Sequence, residues 1–118
     1  MHTPPSEAQR LQALTIANHI RTTRANHLQH IKSLSAKEGA CQAALLIQNP
    51  PEELKGLRLE RLARAVHRFG TSRARALLYD VTAGKTWVNP TLGELTQHQR
   101  RIAIVLLEHH CQHGKKAA

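Results

Sequence analysis

The chain is poor in aromatic side chains: one Phe, one Trp and one Tyr supply 3% of its 118 residues. That scarcity argues against a sheet platform that stacks single-stranded bases. Two cysteines, Cys41 and Cys111, are too few for a disulfide framework or a four-cysteine zinc site. Acids are scarce as well, with 8 Asp and Glu against 17 Lys and Arg and nine His in reserve, for a net charge of +9. No apolar run is longer than Ile102 to Leu107, far short of a membrane span. The opening Met1-His2-Thr3-Pro4-Pro5-Ser6 holds no apolar signal core, so a cytoplasmic location and no membrane partner are expected. Paired acids in an apolar setting, a Gly-rich loop closed by Lys-Ser and a Cys–His dyad are all missing. The expectation is therefore no enzyme, no catalytic residue, no cofactor and no small-molecule substrate.

What is present is a basic domain with enough apolar residues, 41%, to build a core and not a disordered tail. Residues 1–50 carry five bases and two acids, and 51–118 carry twelve and six, so the excess charge is spread over two regions. A polyanion is the natural partner.

Helix-start signals organise the chain. Ser6-Glu7-Ala8-Gln9 is a capping box, and Leu11, Leu14, Ala17, Ile20, then Leu28, Ile31 and Leu34 recur at helical spacing. Neither Gly nor Pro interrupts from Ser6 to Gly39, which predicts a long first helix of about 25 residues that outruns any small core. Ser35-Ala36-Lys37-Glu38, again a capping box, opens a second helix, stopped by Asn49-Pro50-Pro51, after which a short Pro-Glu turn runs to about Gly56. Leu59, Leu62, Ala63, Val66 and Phe69 form the stripe of a third helix that Gly70 closes as a left-handed cap. Thr71 or Ser72 then caps a fourth, a turn-rich stretch runs from Asp80 to Gly93, and Thr96-Gln97-His98-Gln99 starts the last. No stretch alternates long enough for a strand. The expected class is all-α.

The junction Phe69-Gly70-Thr71-Ser72-Arg73-Ala74-Arg75 carries the most chemistry. A Gly turn followed by small hydroxyl residues leaves the N–H groups of a helix start open to a phosphate, and Arg73 and Arg75 stand near enough to meet the same or the next one. An ordinary helical connection with solvated arginines fits the same residues. Arg58, Arg61, Arg64 and Arg68 read first as the solvated side of a surface helix, although only Glu60 stands among them. Arg21, Arg24 and Lys32 make a second basic patch on the first helix. His109 and His113, four apart, fit the last turn of a helix better than a metal site, so no metal is expected.

In order, these elements resemble the actinobacterial, mycobacterial-type integration host factors, small nucleoid proteins unrelated in fold to the β-armed enteric factor. The resemblance spans nearly the whole chain. It rests on Glu7-Ala8-Gln9-Arg10, on Arg21 to Ala25 with Ile31-Lys32, on Leu57 to Ala74, and on Leu95 to Leu107 around Gln99-Arg100. It implies a long basic N-terminal helix over 1–34, a helix–two-turn–helix domain over 35–114 and a short basic tail over 115–118. It also implies a nucleoid-associated, non-enzymatic monomer that binds double-stranded DNA with little sequence preference. Such a protein bends or compacts the duplex, bridges two segments or supports site-specific recombination. Gly70, Thr71, Ser72 and Arg73 would then meet one phosphate backbone, together with Arg75 and Arg100. Lys85 and Thr86 would stand in for an arginine cluster that the family carries where this chain reads Asn89-Pro90-Thr91-Leu92-Gly93. Arg21, Arg24 and Lys32 form the second contact. Formamidopyrimidine-type glycosylases share the motif but need an N-terminal proline and a four-cysteine finger, and residue 2 here is His2. Two other classes remain on this sequence: a sequence-specific regulator of phage origin using Trp87 or Asn89 at a groove, and a protein-interaction module using the first helix.

Overall fold

The computed structural model describes residues 6–85 and 87–113, excepting the side chains of 111–113. Five α-helices follow in order: α1 (Glu7–Ser33), α2 (Ala36–Gln48), α3 (Leu59–Ala65), α4 (Gly70–Val81) and α5 (Gln97–His113). Short 3-10 turns lie at Glu52–Leu54 and Leu92–Glu94, and among the described residues there is no strand. The expected all-α class holds.

Local chemistry sets most helix starts. The Ser6 hydroxyl accepts from Gln9 N–H while the Gln9 amide oxygen accepts from Ser6 N–H, the reciprocal box that opens α1. Thr96 and Gln99 repeat this pairing at α5, and Ser35 caps α2 through Glu38 N–H alone. A further box, Thr91 with Glu94, closes the turn before α5.

The junction of α3 and α4 departs from expectation. Helix α3 ends at Ala65, so Val66 and Phe69 are not part of its stripe. Val66 N–H bonds to Ala63 O and Phe69 N–H to Val66 O, two successive tight turns linking the helices. Arg68 itself takes a left-handed conformation (φ 64°), and Gly70 (φ 74°) is the first residue of α4, not a cap on α3. Neither Thr71 nor Ser72 caps α4, whose start has no side-chain hydrogen bond. Apolar spacing carried on through the connection because Val66 and Phe69 are buried from the turn itself.

Helix α5 packs along α2, and Ala40, Ala43 and Ala44 of α2 are buried, as are Ala103 and Leu107 of α5. Ile31, Ile47, Leu54, Leu59, Leu62, Leu77 and Leu92 complete the core. The chain after α2 is clipped to the chain before α5 by main-chain bonds. Leu59 N–H reaches Pro90 O, Leu92 N–H reaches Leu57 O and Gly93 N–H reaches Lys55 O, each at 2.9 Å.

Only the C-terminal part of α1 belongs to this core, through Leu28 and Ile31. At 27 residues the helix is about 40 Å long, and its first half projects with Leu11, Leu14 and Ile16 more than half exposed. The radius of gyration, 16.5 Å, accordingly exceeds the roughly 13–14 Å of a spherical domain this size. No described helix is long and apolar enough to cross a membrane. Thr86 and residues 115–118, part of the expected contact and tail, lie outside the described residues.

Candidate nucleic-acid interface

The cations expected to bind an anion fall into two groups, those spent inside the fold and those left at its surface. Arg24 is spent. Its Nε donates to Glu53 O at 2.8 Å, its guanidinium lies over Gly56, and His19 Nε2 sits 3.8 Å from the Glu53 carboxylate, so the three side chains tie α1 to the Glu52–Leu54 turn. Arg100 is spent too: its Nη1 donates to Ile47 O at 2.7 Å, filling an orphan carbonyl at the end of α2. An Arg24→Met substitution is therefore expected to lower the unfolding free energy by about 1–2 kcal/mol, because a charge-assisted bond over half-buried backbone is lost. Arg21→Met, at an exposed site, should change it by less than about 0.5 kcal/mol. Urea denaturation of both variants checks the contrast.

Arg73 and Arg75 part company. Positions two apart on a helix point to nearly opposite sides. Arg73 faces α5, where its Nη1 meets His110 Nδ1 at 2.9 Å. Arg75 lines a hollow of about 610 Å³ on the other side of α4, with Lys85, Tyr79, Asp80 and Glu60. The two arginines thus lie on different sides of α4. Gly70, Thr71 and Ser72 remain exposed at the α4 start.

The densest positive charge lies elsewhere. Between α1 and α3 a hollow of about 400 Å³ is lined by Lys32, Arg58, Arg61 and Arg64, with Glu60 as the one acid. Lys32 and Arg61 make no hydrogen bond or ion pair among the described residues. Arg64 Nη1 stands 4.0 Å from Glu60, and Arg58 Nη1 donates to Asn89 O at 2.6 Å, yet both side chains stay more than half exposed. The adjoining Arg75–Lys85 hollow shares Glu60 but adds Asp80, so its two cations meet two acids. Charge therefore favours the α1–α3 hollow over the Lys85 loop.

Arg58 is held in place from the clip. The Thr91 hydroxyl and N–H both donate to the Glu94 carboxylate, which lies 4.0 Å from Arg58. The Thr91 side chain first, its backbone N–H next and Arg58 last hold the Glu94 carboxyl below its usual range. Trp87 is 80% exposed two residues beyond Lys85.

Along α1, Arg10, Arg21 and Lys32 recur every eleven residues, close to three turns, and so line up on one side over about 33 Å. This spacing was open to reading in the sequence, whereas the meeting of Lys32 with Arg58, Arg61 and Arg64 required the α1–α3 packing. His110 is buried, at 7% exposed, and the His113 side chain lies outside the described residues. Among the described residues no group of three or more potential ligands could hold a metal. No family model, curated protein or solved structure matches the chain.

Proposed function

We propose that this protein binds double-stranded DNA through its phosphates, with little sequence preference, and bends or compacts it. The observation that carries this reading is the α1–α3 hollow, where Lys32 meets Arg58, Arg61 and Arg64 with Glu60 as the one acid in the lining and Glu94 4.0 Å from Arg58. Guanidinium forks suit phosphate oxygens, and Lys32 adds a point charge. From that hollow the Arg10–Arg21–Lys32 line extends over about 33 Å, close to one turn of duplex DNA. A helix lying along the duplex would meet backbone phosphates at intervals without reading base edges.

Exposed Gly70, Thr71 and Ser72 at the uncapped start of α4 provide a second contact. Two successive turns precede it, which is why we read α3 and α4 as a helix–two-turn–helix unit of the actinobacterial integration host factor kind. Two separated contacts let a small body bend one duplex, at a cost on the order of 1–6 kcal/mol that the second contact offsets, or bridge two. Nucleoid association follows from such binding.

A salt titration tests the reading, with the single Trp87 as fluorescent probe. With about five phosphates neutralised, log K falls against log salt with a slope of about −4 to −5 on random and chosen duplexes alike. A slope near zero would sink the phosphate grip. A second reading, a protein-interaction module, is favoured by the exposed Leu11, Leu14 and Ile16 on α1. Absence of binding to any nucleic acid at moderate salt would select it.

A further inference from the structure

On the side of α4 away from the basic hollow, a cavity of about 410 Å³ opens between α4 and α5. Its size falls within the range of small-molecule sites, and Phe69, Leu77 and Leu106 supply an apolar lining. Two cations, Arg68 and Arg73, stand at it as well.

We propose that this cavity binds a small amphiphilic anion: one carboxylate or similar monoanionic head on an apolar body. The head site is built around Arg73. Arginine can only donate, so His110 Nδ1 must accept from it. The ring is then neutral and its Nε2–H donates to His67 O at 3.3 Å. The Phe69 ring meets this imidazole edge-on, with centroids 5.1 Å apart and planes at 89°. A buried histidine thus pins one Nη of the guanidinium beside the apolar lining.

Arg68 provides an independent observation. It holds a left-handed backbone (φ 64°) that glycine adopts freely and other residues rarely do. Backbone strain of this kind gathers at ligand clamps. Arg68 also lines the same cavity. Asp80 lines the cavity seven residues beyond Arg73, about 10 Å along α4. A second anionic group at that end would be repelled, so the ligand carries one head only.

Calorimetric titration of the full chain with octanoate tests this, independently of DNA. One saturable site is expected for octanoate, none for octylamine, and inorganic phosphate should bind at least about tenfold more weakly for want of an apolar body. Ala76→Phe, at an exposed residue that lines the cavity, fills the space and abolishes octanoate binding. Arg68→Gly weakens it by about tenfold or more without lowering Tm, since glycine relieves the left-handed backbone while one charge-assisted contact is lost. Arg101→Ala, exposed on α5 and away from the cavity, leaves binding unchanged. No saturable octanoate site in the unmodified protein, undiminished binding by Ala76→Phe, or equal weakening by Arg68→Gly and Arg101→Ala would each overturn the proposal.

Discussion

Replacing Arg61 and Arg64 together by glutamate is expected to lower affinity for duplex DNA by about a hundredfold at 0.1 M salt. Each neutralised phosphate contributes about 0.9 log unit at that concentration through counterion release, so two lost contacts account for roughly sixtyfold. The new acids then repel phosphates that lie within a Debye length of about 10 Å. Folding should survive. Both positions are exposed, and the one pairing lost among the described residues is the 4.0 Å contact of Arg64 with Glu60, a surface ion pair of little worth. The check is a titration at fixed salt beside a thermal melt. Binding that is undiminished while the salt slope stays steep would move the phosphate grip from the α1–α3 hollow to the α4 start.

Leu92→Ala is expected to cost about 2–5 kcal/mol of stability, lowering Tm by about 10–20 °C for a domain of this size. Leu92 is fully buried in the Leu92–Glu94 turn, and its N–H bonds to Leu57 O within the clip that joins the two loops. Truncation leaves a cavity beneath the segment that presents Asn89 O and Glu94 to Arg58. At a temperature where the variant remains folded, its salt slope on duplex DNA should match that of the unmodified protein, because no cation is removed. Thermal unfolding and a salt titration below the lowered Tm measure the two effects. A stability loss under about 1 kcal/mol would show that the clip does not depend on its buried plug.

These two outcomes separate the residues that hold the interface up from those that present charge, a division the linear sequence conceals. Arg21 and Arg24 are three residues apart in one basic patch, yet Arg24 is bonded to Glu53 O and Arg21 is exposed. Arg100, a contact residue in the family pattern, donates to Ile47 O at the end of α2. Arg61 and Arg64 read as an ordinary solvated helix side and form a wall of the basic α1–α3 hollow. A guanidinium goes to whichever carbonyl or solvent lies within its reach, and that is set by elements remote in sequence.

The sequence by itself determined the features whose physics is local. Ser6 with Gln9 and Thr96 with Gln99 start their helices because each box satisfies orphan N–H groups three residues away. The length of α1 followed from an unbroken helical pattern, and the all-α class from the absence of alternation. Tertiary structure decided where α3 stops, since burial of Val66 and Phe69 imitates a continuing helix while Arg68 turns the backbone left-handed. It also decided which cations converge. Lys32 meets Arg58, Arg61 and Arg64 only because Leu28 and Ile31 anchor α1 in the core beside α3. Net charge is a sum over residues, but a charged surface depends on distance, and only packing sets distance.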